Sequence, residues 1–314
     1  MLPDAAHPER GRFVRDQVDA LRAIDGLDVE LYQFAPGPSA LAGAARELRR
    51  RHGPPTTFSR RPAGEPYDVV HAHFGLSAWP ALAVHARVRA LTVHGTDLSH
   101  PRTRIATAAV LPSVRLLAAV SAALIAEIPG ARARRRALVL PCGVDTRRFR
   151  PAARASARTE LGRDPERPYV LFAADPARPE KRHDRACELA DAAGVELVTL
   201  GGVDPSAVPL WVNGANAVLV PSEREGFGLA VLEALACDVP VLATPVGVHA
   251  DALRDVDGAL CAPYELARWR AALEPHLLAA DPHVRGRAAA ERFSAAVMAE
   301  RVAAAWREQL QRSG

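Results

Sequence analysis

The sequence predicts two α/β domains, each built around a doubly wound parallel sheet, and two observations carry that prediction. Short β-branched runs alternate with Ala-, Leu- and Arg-rich stretches of helical character along the chain, a rhythm typical of βαβ units. The chain has 314 residues, which is enough for about two domains. Its 49% hydrophobic content supplies two cores, and a mean hydropathy of −0.04 argues against disorder and against a membrane span.

In the first half, β-branched runs predict five strands and the stretches between them predict four helices. The predicted strands are residues 29–34, 69–72, 90–93, 116–120 and 137–140, and the predicted helices are residues 12–24, 40–51, 79–87 and 122–128. A domain of this type normally opens with a strand, whereas residues 1–10 read as a polar loop. Either an initial strand is missing from the chain or the sheet is built without one.

The second half repeats the pattern after a proline-containing polar segment at residues 147–168. The predicted strands are residues 169–173, 196–200, 217–221 and 240–243; the predicted helices are residues 182–193 and 229–236, followed by two tail helices, the last near residues 296–311. We therefore expect domains at residues 1–148 and 149–294 and a terminal helix at residues 295–314. Two such domains are expected to face each other across a cleft.

Charge is divided unevenly along the chain. Residues 1–150 hold 22 arginines and 13 acidic residues, a net charge of +9, whereas the remainder holds 18 basic and 23 acidic residues, a net charge of −5. The arginine clusters at residues 49–51, 60–61 and 134–136 have no interleaved aromatics, which favours solvated surface and predicts no nucleic-acid partner. They leave open a peripheral contact with an anionic membrane if the acceptor is a lipid.

The cysteines and the amino-terminal segment narrow the cellular setting. The four cysteines show no C-x-x-C spacing, so the sequence predicts buried free thiols and neither a disulfide framework nor a zinc site. Residues 1–10 carry several charged side chains with no apolar stretch behind them, so no signal peptide is expected. These features predict a cytoplasmic protein, and they leave the oligomeric state open.

Residues 221–247, PSEREGFGLAVLEALACDVPVLATPVG, carry the strongest chemical pattern. A strand is expected to end at Val220, a loop with Glu225 and two glycines follows, and a helix begins near Gly228 with Glu233 in its second turn. Glycines let the backbone approach a ligand closely, and the first amides of a helix bind anions. Two carboxylates beside a phosphate site make sense if they bind neutral hydroxyls on either side of a diphosphate, as in a nucleotide sugar.

The E-x7-E spacing from Glu225 to Glu233, together with EGFGL and the EALACDVPVLATPVG that follows, resembles the donor-binding segment of family-4 glycosyltransferases of the GT-B fold. Four further segments agree in the family's order: DVVHAHFG, TVHGTD, LPCGVDTRRFRP and PEKR. The resemblance covers nearly the whole chain. It implies retaining transfer from a nucleoside diphosphate sugar without a metal ion or cofactor. It also implies an acceptor domain followed by a donor domain, with the last helix crossing back to the first domain.

The resemblance implies roles for individual residues. Glu225 would meet hydroxyls of the transferred sugar and act in catalysis with His94, which would lie near the reacting sugar. Glu233 would bind the ribose, while Lys181 and Arg178 would neutralise the diphosphate. The remaining candidates are backbone groups on the donor side (Gly226, Phe227, Gly228 and Leu229) and groups on the acceptor side (Gly11, Arg12, His73, Gly75 and Asp97). The acceptor is expected to be a small molecule, a glycan or a lipid-linked molecule.

Lys181 is singled out by composition as well, because it is the single lysine among 40 basic residues. A compact ammonium group suits a phosphate site. The alternative is a surface pair formed by Lys181 and Arg178, since basic side chains are mostly exposed. Histidines near strand ends, including His73 and His94, are also more often structural than ligand-binding, and Asp97 could cap the segment that follows it.

Three departures from the family pattern limit what the resemblance transfers. Residues 175–176 are Asp-Pro where the family usually has Gly-Arg, so Arg178 must substitute. Residues 200–210 form a short stretch where the family often shapes its nucleobase pocket, and Cys142 stands where Asn is commoner. The base and the sugar are therefore undefined. Two other functions stay open: a nucleotide-sugar epimerase of the same architecture, and a degenerate protein that binds without catalysis.

Overall fold

The computed structural model describes residues 11–35, 37–53 and 66–312. These residues form two compact units: the first extends to Cys142 and includes the residues from Met298 onward, and the second is Gly143–Val297. The expectations about residues 1–10 and the arginines at 60–61 lie outside the described residues. Within the described ranges, no helix is both long enough and apolar enough to cross a membrane.

The first unit is built on a parallel sheet whose strands lie in chain order. The strands are β1 (Tyr67–His73), β2 (Ala86–Val93), β3 (Leu116–Ala119) and β4 (Leu138–Val139). The helices are α1 (Arg12–Arg22), α2 (Pro38–His52), α3 (Gly75–Ala81), α4 (Thr96–Ser99), α5 (Pro101–Val110), α6 (Ala122–Glu127) and α7 (Ala131–Arg136). Every residue of β3 is buried, as expected for a parallel strand covered by helices on both faces.

The second unit contains a parallel sheet with the order β6-β5-β7-β8-β9. Its strands are β5 (Tyr169–Phe172), β6 (Glu196–Thr199), β7 (Ala217–Val220), β8 (Val241–Ala243) and β9 (Leu260–Cys261). The helices are α8 (Arg154–Glu160), α9 (His183–Ala193), α10 (Val208–Gly214), α11 (Leu229–Ala236), α12 (His249–Ala252), α13 (Leu266–Leu278) and α14 (Arg287–Glu291). A final helix, α15 (Ala295–Gln311), begins in this unit and belongs to the first unit from Met298 onward.

Two predicted elements of the first unit are wrong. Residues 29–34 form no strand; this segment is held by side chains, with Arg22 Nε donating to the Val29 carbonyl at 2.9 Å and Tyr67 Oη donating to Glu30 at 3.0 Å. A β-branched run becomes a strand only where its backbone groups find a ladder partner. The helix expected at residues 79–87 is displaced to Gly75–Ala81, because the residues from Ala86 onward pair with β1.

The second unit follows its predicted elements closely, with α11 at the predicted residues 229–236. The prediction omitted three short elements, β9 with two residues, α12 with four and α10 with seven, and elements that short leave few positions for a pattern. All four cysteines are free thiols; two are buried and two are half-buried. The core of this unit packs β5, β7 and β8 against α9 and α13, with Trp269 fully enclosed.

The start of α3 offers a test of the packing of the first unit. A Cβ at Gly75 would lie 1.8 Å from Oγ1 of the buried Thr107. We expect Gly75→Ala to reduce the free energy of unfolding by roughly 1–3 kcal/mol through overpacking, measured by urea unfolding. Gly43→Ala is the matched control, since Gly43 lies within α2 with open space around it. That control should be stabilised by roughly 0.5–1 kcal/mol. Equal effects of the two substitutions would contradict the packing.

Candidate functional site

The strand order of the second sheet reverses beside β5, which has β6 on one side and β7 on the other. At such a position the loops that follow the two central strands diverge, and ligands bind at the carboxyl ends of the strands. The loop after β5 leads to Lys181, and the loop after β7 carries Glu225. The fold therefore brings the predicted cation and the predicted carboxylate to the same edge of one sheet.

Lys181 and Glu225 form an ion pair at this edge. Lys181 Nζ lies 2.6 Å from Glu225 Oε2, and the two side chains are only 13% and 8% exposed. The hydroxyl of Ser222 donates to the other carboxylate oxygen, Oε1, at 2.8 Å. Both oxygens of Glu225 are thus engaged, and its orientation is fixed from two sides.

Arg178 is placed differently from Lys181. Its guanidinium is half exposed and donates to Glu180 at 2.7 Å. Partial burial would raise the pKa of Glu180, but the backbone hydrogen bond and the contact with Arg178 outweigh it and lower that pKa. The enclosure of Lys181 differs from the surface alternative, whereas the exposure of Arg178 agrees with it.

The glycine loop after Glu225 ends at the first turn of α11. Gly228 precedes the helix with φ +106°, a conformation that favours glycine. The Phe227 carbonyl accepts a hydrogen bond from the Val248 amide at 2.7 Å, while the Phe227 side chain is buried. No side chain of the preceding residue caps the helix, so the amides that begin at Leu229 are available to an anion, favoured by the helix dipole.

A buried polar layer lies beneath this loop, and the sequence reasoning missed it. The Thr244 hydroxyl donates to the Ser222 carbonyl, and His249 Nδ1 lies 2.8 Å from the Thr244 carbonyl. All three side chains are almost completely enclosed. The sequence offered only a histidine two positions after PVG, in the stretch VHADAL.

Two further features lie in this unit. Glu233 is in the second turn of α11, as predicted, and is partly buried. A shallow surface cavity of about 590 Å³ is lined by Pro176, Pro179, Arg182, His183, Asp184 and Glu223. It lies beside the Lys181–Glu225 pair and does not include it. Arg182 pairs with both acidic residues of the lining, Asp184 and Glu223.

Three histidines cluster at the carboxyl ends of β1 and β2 in the first unit. The rings of His71 and His73 stack with centroids 4.8 Å apart, and His73 Nδ1 lies 3.0 Å from His94 Nε2. Phe13 and Phe74 each pack against His94 with ring centroids at 4.7 Å. The structure therefore joins two predicted residues, His73 and His94, into one hydrogen-bonded pair.

Hydrogen bonding fixes the protonation of His71. The indole of Trp306 can only donate, so His71 Nδ1 accepts its hydrogen bond at 3.1 Å. The remaining ring proton is on Nε2, which donates to Thr92 Oγ1 at 2.8 Å. Burial lowers the pKa of His71, His73 and His94, that of His73 to about 4. These imidazoles are neutral at pH 7.

The remaining acceptor-side candidates have structural contacts of their own. The buried carboxylate of Asp97 accepts hydrogen bonds from the amides of Gly75, His94 and Gly95 at 2.9–3.2 Å, so it anchors the turns after β1 and β2. Burial raises its pKa, although these amide bonds oppose the shift. Gly11 precedes α1 with φ +63°, and Arg12 is the first residue of that helix. In the described part of the chain, no three His, Cys, Asp or Glu side chains are grouped to hold a metal ion.

Comparison with known families finds two matches that divide the chain. Residues 10–148 match the model described as Glycosyltransferase Family 4, and residues 159–290 match Glycosyl transferases group 1. Among curated proteins, the D-inositol 3-phosphate glycosyltransferase of Frankia alni is 31% identical over 86% of this chain and 82% of its own length. The protein of that name from Nocardia farcinica is 32% identical, over 66% of this chain and 58% of its own length.

Solved structures give the same fold. Sucrose-phosphate synthase from Thermosynechococcus elongatus superposes with a TM-score of 0.66 at 18% identity, covering 96% of this chain and 93% of that one. Anabaena HepE in complex with UDP and glucose gives a TM-score of 0.62 at 16% identity, covering 84% and 80%. At these identities the similarity establishes the architecture, two parallel-sheet α/β units of the GT-B type.

The neutral histidines of the first unit predict acid sensitivity. Their folded pKa values lie below the ordinary value of 6.5, so the unfolded chain binds more protons, and stability is lost as pH falls below 6.5. Each buried histidine contributes at most about 1.4 kcal/mol per pH unit. Urea unfolding at pH 7.5, 6.0 and 5.0 measures the slope, which His71→Gln should make shallower and the exposed control His283→Gln should not. A midpoint independent of pH would contradict the neutral state.

Proposed function

The chain belongs to the group 1 glycosyl transferases, and from this membership we propose that it moves a sugar from a nucleoside diphosphate sugar to an acceptor hydroxyl. The observation that carries the proposal is the contact between Lys181 and Glu225 beside the first amides of α11. One cation, one carboxylate and the start of a helix are the groups that a diphosphate joined to a sugar requires.

The cationic groups would act on the leaving group. Breaking the glycosyl phosphate bond develops positive charge on the sugar and negative charge on the diphosphate. We propose that Lys181 exchanges its contact with Glu225 for a diphosphate oxygen, while the amides that begin at Leu229 meet the same group. Fixed dipoles and charges aimed at developing charge lower the barrier. Arg178 is the proposed second cation, and to act it must release Glu180.

The carboxylates would act on hydroxyl groups. Once Lys181 has turned to the diphosphate, Glu225 can accept hydrogen bonds from the transferred sugar while Ser222 still holds its Oε1 atom. Glu233 is proposed to bind the ribose. The backbone of Gly226, Phe227, Gly228 and Leu229 would then lie along the sugar and the diphosphate, where the absence of side chains at the glycines permits close approach.

In the first unit we propose that His94 contacts the reacting sugar, with Gly11, Arg12 and His73 on the acceptor side. A neutral His94 would serve as a hydrogen-bonding group and not as a cation. Gly75 and Asp97 would contribute by holding the turns from which these side chains project.

We further propose that the transfer retains the anomeric configuration, that it needs no metal ion, and that the protein acts in the cytoplasm. The acceptor belongs to one of three classes: a small molecule, a glycan or a lipid-linked molecule. D-inositol 3-phosphate belongs in the acceptor panel because the curated relatives carry its name.

Removal of the central carboxylate is the first test. We expect Glu225→Ala to lower kcat by roughly 10²–10³-fold, because the sugar loses its charged contact and Lys181 its partner. Transfer, or donor hydrolysis without acceptor, is followed by mass spectrometry on UDP-, GDP- and ADP-sugars. Glu223→Ala is the control, since Glu223 lies in the same loop but pairs with Arg182 and Arg185. Unchanged turnover in Glu225→Ala would remove the assignment. An isomerised donor would indicate an epimerase, and binding without product a non-catalytic protein.

Chelation tests the source of positive charge. If Lys181 and the helix amides neutralise the diphosphate, we expect the turnover rate to be the same with EDTA as with added Mg²⁺ or Mn²⁺. Lys181→Ala should instead weaken binding of the nucleoside diphosphate, measured by calorimetry. Activity that is lost on chelation and restored by a divalent ion would contradict the proposal.

A further inference from the structure

His249 is a fully buried histidine that the proposed transfer does not use. It is the first residue of α12 and is 0% exposed. Burial lowers its pKa against the opposing influence of Glu225, so the ring is neutral. A neutral imidazole in a protein interior still has one donor and one acceptor to satisfy.

The two ring nitrogens of His249 are in different situations. Nδ1 lies 2.8 Å from the Thr244 carbonyl, and since a carbonyl only accepts, Nδ1 carries the proton. Nε2 is buried and meets no donor among the described residues. A residue chosen only to fill this space would be apolar, because a buried acceptor without a partner opposes folding. Among the described residues, the contact of Nδ1 is thus the hydrogen bond that the ring of His249 makes.

That contact is the first link of a chain that ends at the ion pair. Thr244, whose carbonyl His249 holds, donates its hydroxyl to the Ser222 carbonyl. Ser222 donates its own hydroxyl to Glu225 Oε1 at 2.8 Å, and Glu225 Oε2 contacts Lys181 at 2.6 Å. Each link is buried or nearly so, where hydrogen bonds are strong and directional.

The same ring also fixes the glycine loop by contact. A Cβ on Gly228 would lie 2.3 Å from His249 Nε2, so the edge of the imidazole lies directly against the residue that precedes α11. The neighbouring amide of Val248 holds the Phe227 carbonyl at 2.7 Å. His249 thus contacts Gly228 at the start of α11 and is linked to the carboxylate of Glu225 through Thr244 and Ser222.

We propose that His249 is a positioning residue. It fixes the orientation of the Glu225 carboxylate through Thr244 and Ser222, and it fixes the position of the first turn of α11. This inference rests on the proposed function for its effect on transfer, but the placement of Glu225 can be measured without any donor. A 1 Å displacement of such a group can cost up to about 100-fold in rate.

Lys181 provides the probe, because it is the only lysine in the chain. Reductive methylation with ¹³C-formaldehyde gives one dimethyl-lysine NMR resonance besides that of the terminal amine and preserves the positive charge. The Glu225→Gln variant gives the reference chemical shift of the Lys181 resonance when the ion pair is absent. We expect His249→Phe to move the Lys181 resonance toward that position, and His249→Asn, whose Nδ2 can replace Nδ1, to restore it.

Folding and a matched histidine serve as controls. His249→Phe is expected to fold, since the Thr244 carbonyl still accepts from the Val246 amide at 2.8 Å, and urea unfolding checks this. His276→Phe is the matched control: its imidazole also contacts a backbone carbonyl, that of Gly258 at 2.8 Å, in the same unit. That variant should leave the Lys181 resonance and the kinetics unchanged.

Kinetics complete the test. For His249→Phe we expect kcat to fall by between about 10-fold and 100-fold, with a smaller change in KM, and we expect recovery in His249→Asn. A folded His249→Phe protein with wild-type kcat and an unmoved Lys181 resonance would overturn the proposal and make His249 a core residue. If the wild-type protein turns over no donor, and UDP, GDP and ADP leave Lys181 unperturbed, the proposed function fails instead. The Lys181 resonances of the His249 variants, recorded without any nucleotide, would still decide the role of His249.

Discussion

The reversal of strand order beside β5 is the constraint on which the Lys181–Glu225 pair, and with it the proposed donor site, depends. In a parallel sheet every carboxyl end lies at one edge, so the loops after β5 and β7 must both emerge there. Lys181 and Glu225 are 44 positions apart in sequence and 2.6 Å apart in space because of this topology. The helix that follows the second loop then adds its amides at the same edge.

An ion pair at this point serves the site in the absence of ligand. A lone carboxylate as enclosed as Glu225, or a lone ammonium beside it, would be costly to bury, and pairing removes most of that cost. In the proposed function, binding of a diphosphate sugar would replace one set of charge-assisted contacts with another, so neither side chain would have to be stripped of water at that moment. This is preorganisation, because Lys181 and Glu225 are already shielded from water and oriented before any ligand binds.

The sequence predicted the second unit better than the first, and the reason is physical. Residues 229–236 combine a glycine start with a continuous apolar run, so local pattern and tertiary burial agree at α11. Residues 29–34 have an equally good strand pattern but no ladder partner in the described chain, and pairing is not a local property. The E-x7-E spacing singled out Glu225, and composition together with the PEKR segment singled out Lys181, because each of these signals lies within one short stretch of sequence. His249 escaped because its role follows from contacts with Thr244 and Gly228, which only the folded chain brings to it.

The hydrogen-bond partners of the histidines decide where positive charge can arise. His71 accepts from Trp306, and His249 donates to the Thr244 carbonyl; each is buried and neutral. Protonating His71 would place two N–H groups against each other, because Trp306 cannot accept. In the proposed transfer, positive charge for the departing diphosphate would come from Lys181 and the amides of α11, aided by arginine. His71 and His249 therefore contribute hydrogen bonds, and not positive charge, to the groups around them.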